Sequence, residues 1–141
     1  MGIGNEMRGD DSVGPLIIQK LSSLFSEMDN IVSLDGGTVP ENYTGLIRKE
    51  NPTNIIFVDA VDMKKTPGYI RIVDKDEIGN YSISTHAMPL SFLIKYLESV
   101  TDANMILIGI QPKNMDMTQD VSKEVEKSVE KVVGIFSQLL P

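Results

Sequence analysis

The stretch Ile-Ile-Phe-Val-Asp at positions 55–59 decides the fold that we predict for this chain. Four consecutive β-branched or aromatic residues are typical of a strand buried on both faces, as the central strands of parallel sheets are. A second buried strand is predicted at 105–110, and shorter strands are predicted at 31–34 and 69–73. The two long apolar runs therefore indicate a sheet with both of its faces covered.

Segments with helical spacing of apolar residues alternate with these strands. The clearest is the last one, where Val, Phe and Leu recur every three or four residues and Lys and Glu fill the other face. Helices are expected at residues 12–28, 40–49, 89–99 and 121–140. This alternation predicts an α/β fold, a three-layer sandwich with a twisted, mostly parallel sheet of about five strands between helices.

The start of the chain departs from this alternation. Residues 2–5, Gly-Ile-Gly-Asn, form a turn that a strand normally precedes, but only Met1 stands before them. A length of 141 residues fits one domain. We therefore expect a single domain over residues 1–141 that is short by its first strand.

Composition excludes several classes of function. The chain has no Cys and a single His, His86, so disulfides, thiolate zinc sites and two-histidine metal motifs are excluded. Its formal net charge of −7 argues against a nucleic-acid partner. No apolar run approaches the ~20 residues of a membrane span, and the N-terminus lacks the pattern of a signal peptide. We expect a cytoplasmic protein that does not insert into membranes.

Carboxylates follow the predicted strands, at the edge where open α/β sheets bind ligands. Asp35 follows the strand at 31–34, and Asp59 and Asp62 follow the strand at 55–58. The carboxylate of Asp59 ends an apolar strand, so it either caps a loop or points into the crevice. Asp62 is expected to be a turn residue.

Two further features lie beside predicted helix starts. Either Asp10 or Asp11 is expected to cap the first long helix, because a short carboxylate accepts backbone N–H groups there. His86 precedes the helix at 89–99, where a positive charge is disfavoured. A neutral imidazole, the form that binds metals, is therefore expected at His86.

The residues alone leave three chemical assemblies open. Two carboxylates and one imidazole from different loops form an N,O donor set suited to a divalent transition metal. A Ser-His-Asp triad is the second, although none of the serines lies in a nucleophile-elbow motif. A carboxylate pair acting as acid and base is the third. The Gly-rich start is a weak dinucleotide-binding pattern, because Met7 occupies the position of the third glycine. The serines considered are Ser12, Ser82, Ser84 and Ser91.

Five blocks in register resemble the nickel–iron hydrogenase maturation endopeptidases, in particular the branch serving hydrogenase-3 type enzymes. They cover nearly the whole chain. The blocks are Gly-Ile-Gly-Asn at 2–5 with Arg-Gly-Asp-Asp-Ser-Val-Gly-Pro at 8–15, Asp-Gly-Gly-Thr-Val-Pro-Glu-Asn at 35–42, Asp-Ala-Val-Asp-Met at 59–63 with Pro-Gly at 67–68, Ser-Thr-His-Ala-Met-Pro-Leu at 84–90, and Gly-Ile-Gln-Pro at 109–112.

The resemblance implies an activity and a set of site residues. The activity is removal of the C-terminal extension of a hydrogenase large-subunit precursor after nickel insertion, with the bound nickel as the recognition handle. The catalytic and metal-contacting positions of the family fall on Asp11, Asp59 and His86. The nickel would be carried by the substrate, and the resting protein would hold no tightly bound metal, although Cd²⁺ or Zn²⁺ can fill the site. A non-catalytic chaperone that binds the precursor tail is the alternative.

The substrate-contacting residues and one departure from the family complete the expectations. Asn5, Asp35, Gly36 and Gly37 are expected to contact the substrate, and Asp35 is equally explained as a turn-forming residue. Members of the family usually have a strand of several apolar residues before the glycine turn. In this sequence that strand is expected to be missing.

Overall fold

The computed structural model describes residues 1–81 and 88–140. Within them, five strands form one sheet in the order β2-β1-β3-β5-β4. Neighbours are parallel except β4, which runs antiparallel to β5. The prediction of a mostly parallel sheet of about five strands is confirmed. The strands are β1 (Gly2–Ile3), β2 (Asp35–Gly37), β3 (Asn54–Ala60), β4 (Ile70–Asp74) and β5 (Asn104–Ile110).

Helices cover both faces of the sheet and complete the three predicted layers. The first and last long helices pack on one face with Val58 and Ile108, and the other two pack on the opposite face with Phe57 and Leu107. None of the described helices is long and apolar enough to cross a membrane. The helices are α1 (Val13–Leu24), α2 (Thr44–Glu50), α3 (Leu90–Val100) and α4 (Lys123–Leu139), with 3-10 helices at Gly9–Ser12, Pro40–Tyr43 and Lys75–Asn80.

The core lies around β3 and β5, which pair over their full length from Asn54↔Asn104 to Ala60↔Ile110. Successive side chains of a strand point to opposite faces, so both faces of these strands must be apolar. Phe57 and Leu107 are fully buried in the layer beside α3, and Val58 is buried beside α1. Each such side chain contributes about 1.5–3 kcal/mol of burial free energy.

Two local predictions are wrong. The strand predicted at 31–34 lies instead at Asp35–Gly37, because β1, its parallel neighbour, reaches back only to Gly2. Of the residues upstream of Asp35, Leu34 still contacts β1, because its carbonyl accepts from the N–H of Gly2 at 2.9 Å. The first long helix ends at Leu24, four residues before the predicted end.

The expectation that the first strand is missing is wrong: a two-residue strand, β1, lies between β2 and β3 in the sheet. It bridges β3 only at Gly2↔Val58, and its approach to α1 is close. A Cβ at Gly14 of α1 would lie 2.3 Å from the carbonyl oxygen of Ile3, so only glycine fits there. A groove of about 560 Å³ opens beside the first half of β3 and is lined in part by Met1.

The N-terminal nitrogen belongs to Met1, one of the residues that line this groove. It donates a hydrogen bond to the carbonyl of Ile56 at 2.7 Å, and the N–H of Val58 donates to the carbonyl of Met1 at 2.9 Å. Burial lowers the pKa of the Met1 ammonium from 8.0 to about 5, because desolvation disfavours its charged form. The lining includes apolar side chains such as Leu21, Phe25 and Ile55.

Candidate active site

The candidate site lies at the carboxyl ends of the parallel strands, where the 3-10 helix Gly9–Ser12 packs against β3. Asp59, near the end of β3, has no exposed surface and pairs in register with Gly109 of β5. A Cβ at Gly109 would lie 3.1 Å from Val61 Cγ2, so a small residue lets the chain after β3 fold across β5. The carboxylate predicted from the end of the apolar run is thus buried at this edge.

Asp10 acts as an anchor for the segment after β5 rather than as a helix cap. One of its oxygens, Oδ2, accepts from the backbone N–H groups of Lys113 at 2.8 Å and Asn114 at 3.1 Å, and from the Ser122 hydroxyl at 2.9 Å. The other, Oδ1, accepts from the backbone N–H of Ser122 at 2.7 Å. The Asp10 carboxylate therefore holds the segment 113–122 against the site.

Asp11 faces the loop that follows β1. Its Oδ2 accepts from the backbone N–H of Asn5 at 3.0 Å, and the residue is almost fully buried. The prediction that either Asp10 or Asp11 caps α1 is wrong: Ser12 is the N-cap residue of this helix, without a side-chain cap hydrogen bond, and the Asp10 carboxylate binds the segment 113–122 instead. Two adjacent carboxylates thus point to different partners, which separates their charges.

Asn5, predicted to contact substrate, has a structural role in the loop after β1. Its side-chain Oδ1 accepts from the backbone N–H of Met7 at 2.9 Å, and its own N–H binds Asp11. The loop is therefore fixed to the Asp11 carboxylate by consecutive hydrogen bonds.

Asp35 forms a turn with the two glycines that follow it. Its Oδ1 accepts from the N–H of Gly37 at 3.0 Å, and Gly37 has a φ of +54°, a conformation that favours glycine. Gly36 is buried against Met1. These contacts agree with the turn-forming explanation of Asp35, and substrate contact by Asp35, Gly36 and Gly37 stays a prediction.

Gln111, directly after β5, organises the loop that follows β3. Its buried side-chain oxygen accepts from the N–H groups of Met63 at 2.7 Å and Lys65 at 3.3 Å, and its amide nitrogen donates to Asp62 at 3.3 Å. The Lys64 ammonium, 2.7 Å from Asp62, lowers the pKa of that carboxyl through its hydrogen bond. Asp62 itself lies in an isolated β-bridge rather than in a turn, and its Oδ1 accepts from the backbone N–H of Lys64 at 3.1 Å.

The role of Gln111 was missed in the sequence. The available signal was a polar side chain placed directly after a wholly apolar strand, at the edge where loops converge. An amide there is buried, and it offers both a donor and acceptors to neighbouring backbone.

The structure brings Asp11 and Asp59 to the same edge of the sheet. His86 and two of the candidate serines, Ser82 and Ser84, lie outside the described residues. Ser12 is buried, and its hydroxyl donates to the carbonyl of Gly9 at 2.7 Å. The proposed ligand set of two carboxylates and an imidazole therefore stays a prediction.

Comparisons with known proteins agree on one family. A family model described as HycI, hydrogenase maturation protease, matches residues 15–138. The chain is 43% identical over 122 residues to a putative hydrogenase maturation protease of Methanocaldococcus jannaschii, covering 82% of this chain and 72% of that one. It is also 43% identical over 111 residues to the hydrogenase 3 maturation protease of Escherichia coli K12, covering 78% and 69%.

Solved structures give the same result. The HycI hydrogenase maturation protease from Thermococcus kodakarensis superposes with a TM-score of 0.90 at 30% identity, covering 99% of this chain and 88% of that one. The solution structure of the Escherichia coli endopeptidase HycI gives a TM-score of 0.86 at 36% identity, with the same coverage.

Proposed function

This chain belongs to the hydrogenase maturation protease family, and from that premise we propose how it acts on its substrate. It is an endopeptidase that processes nickel–iron hydrogenase large-subunit precursors. The proposal is that it removes the C-terminal extension after nickel has been inserted, and that it uses the nickel in the precursor as the recognition handle. We also propose that the reaction takes place in the cytoplasm.

The observation that carries the proposal is the burial of Asp11 and Asp59 at one edge of the sheet. They come from different segments, the 3-10 helix after β1 and the end of β3. In open α/β sheets this edge is where ligands bind, and a cation compensates the cost of burying carboxylates.

The donor set favours a transition metal over Ca²⁺ or Mg²⁺. Asp11 and Asp59 supply oxygens and His86 supplies a nitrogen, and imidazole nitrogen suits nickel and zinc. The chain has no Cys, so any thiolate ligands would come from the precursor. This division of ligands also fits a site that Cd²⁺ or Zn²⁺ can fill when no substrate is bound.

The proposed task of these side chains is to hold the metal of the precursor so that the scissile peptide lies beside it. In the hydrolysis step, water adds to the carbonyl carbon of the scissile peptide and its C–N bond breaks, which releases the C-terminal extension. A metal next to the carbonyl polarises it, and a carboxylate next to the water accepts a proton from it. Both chemistries need the arrangement of Asp11 and Asp59 at a single edge.

The direct test compares nickel-loaded and nickel-free precursor as substrates, with mass spectrometry to detect shortening. We expect shortening of the nickel-loaded form alone. Equal processing of both forms would contradict the role of the metal, and binding without any shortening would favour the chaperone.

A variant pair tests the assigned carboxylate. Asp59→Asn keeps the size of the side chain and removes its charge. Processing is expected to fall by about a hundredfold or more, because changing even a residue that only supports a metal ligand costs about 10- to 100-fold. Asp102→Asn, which changes an exposed carboxylate two residues before β5, is the matched control and should process normally. A folded Asp59→Asn protein with normal activity would remove Asp59 from the site.

A further inference from the structure

Two β-turns meet beside the candidate active site. The first follows β1 and is closed by the N–H of Arg8, which donates to the carbonyl of Asn5 at 3.2 Å. The second follows β5, at residues 116–119, where the N–H of Gln119 donates to the carbonyl of Asp116 at 3.4 Å. The N–H of Thr118 then donates to the carbonyl of Met7 at 2.9 Å, which joins the two turns.

Each turn presents a methionine at its tip. Met7 is 63% exposed and Met117 is 49% exposed. Turn positions favour Gly, Asn, Asp, Ser and Pro, and neither methionine packs into the core, so neither turn chemistry nor core packing explains them. Methionine is a common residue of protein-binding surfaces, because its flexible, polarisable side chain adapts to a partner. We name Met7 and Met117 together the methionine ridge.

An acidic cleft of about 290 Å³ lies next to the methionine ridge, between the first turn, α1 and the segment before α4. Glu6, the neighbour of Met7, and Asp120 both line it. The amide of Gln19 donates to the carboxylate of Glu6 at 3.0 Å and fixes its position. Two carboxylates in a cleft of this size suit a Lys or Arg side chain.

The methionine ridge and the acidic cleft are tied to the candidate active site. Asn5 links Met7 to Asp11 through two hydrogen bonds, and Ser12, the residue after Asp11, lines the cleft. A protein segment bound here would therefore be held at a defined position relative to the Asp11 carboxylate.

We propose that the methionine ridge and the acidic cleft form a docking surface for a segment of the large-subunit precursor in which an exposed apolar side chain lies next to a Lys or Arg. The apolar side chain packs on Met7 and Met117, and the cation enters the cleft between Glu6 and Asp120. The inference rests on the proposed function for the identity of the partner.

The test measures binding of the unprocessed precursor separately from its cleavage. The double variant Met7→Gln/Met117→Gln preserves side-chain length and removes the apolar contact. It is expected to raise the Kd about tenfold or more, and to raise KM while leaving kcat unchanged. Leu139→Gln, which alters an exposed apolar residue at the far end of α4, is the matched control and should leave Kd unchanged.

A second variant isolates the charge contribution. Raising NaCl from about 50 mM to about 500 mM should weaken binding by the wild type, because salt screens exposed charges. Glu6→Gln/Asp120→Asn should bind more weakly at low salt and lose most of this salt dependence.

The outcomes separate this inference from the proposed function. Normal cleavage with an unchanged Kd in Met7→Gln/Met117→Gln overturns the docking surface and leaves the activity standing. Binding that depends on the methionines, without any cleavage, supports the docking surface and contradicts the proposed activity. A wild-type chain that does not bind the precursor, or a control variant that binds as weakly as the double methionine variant, overturns the inference.

Discussion

The buried N-terminal nitrogen of the 141-residue chain should make folding stability depend on pH between about 5 and 8. The pKa of the Met1 ammonium is 8.0 in the unfolded chain and about 5 in the folded one, because burial desolvates the charge. Above pH 8 the amine is neutral in both states. As the pH falls below 8, the unfolded chain binds a proton that the folded chain does not, so the free energy of unfolding decreases until about pH 5.

The magnitude follows from the two pKa values. A difference from 8.0 to about 5 corresponds to about 4 kcal/mol of lost stability below pH 5, since each unit is worth 1.36 kcal/mol. At intermediate pH the same linkage gives a loss of about 1 kcal/mol at pH 7 and about 3 kcal/mol at pH 6. These are large fractions of the stability of a typical domain.

The assay compares urea unfolding of the free chain with that of a chain acetylated at Met1, at pH 6, 7 and 9. Acetylation removes the charge but retains the N–H that donates to Ile56, and the adjacent groove has room for the acetyl group. All other titrations are common to both chains and cancel. The acetylated chain should be more stable by the amounts above at pH 6 and 7, and equally stable at pH 9. Equal stability at pH 6 would refute the reasoning.

Two further predictions concern stability at single positions. Asp10→Asn should lower the free energy of unfolding by about 2–3 kcal/mol in urea titration, because four donors lose a charged acceptor, among them the backbone N–H and the hydroxyl of Ser122. An unchanged unfolding midpoint would contradict the anchor role of Asp10. Gly14→Ala should lower the thermal midpoint strongly or prevent folding, since its Cβ would lie 2.3 Å from the Ile3 carbonyl oxygen. Gly134→Ala lies in open space within α4 and should raise the free energy of unfolding by about 0.5–1 kcal/mol. Similar effects at both glycines would contradict the close approach of α1 and β1.

The fold could be predicted where the signal is local. The long strands β3 and β5 follow from their apolar runs, because a strand covered on both faces needs apolar residues at consecutive positions. The placement of β2 could not be predicted this way. Its bounds depend on its pairing with β1, which begins at Gly2, and the strand-like composition of the apolar segment at 31–34 does not reveal this pairing.

The residues of the candidate site also differ in whether the local sequence reveals their role. Asp59 could be predicted because it interrupts an apolar run at the correct end of a strand. The role of Asp10 could not, because its partners Lys113, Asn114 and Ser122 are more than 100 residues away in sequence. The role of Gln111 could not be predicted either, because its side-chain oxygen accepts from the N–H of Met63 only after β3 and β5 have paired.

These distant contacts give a physical reason for a choice that the sequence left open, namely which of two adjacent carboxylates serves the site. A carboxylate offers about four lone-pair positions, and Asp10 accepts four hydrogen bonds from the segment 113–122. Oδ2 accepts three of these bonds and Oδ1 accepts one, so a cation at Asp10 would compete with the hydrogen bonds that hold this segment, which carries Met117 of the methionine ridge. Asp11 follows it by one residue and faces the loop after β1. The anchor role of Asp10 thus favours Asp11 as the metal-contacting residue, by an argument independent of the family resemblance.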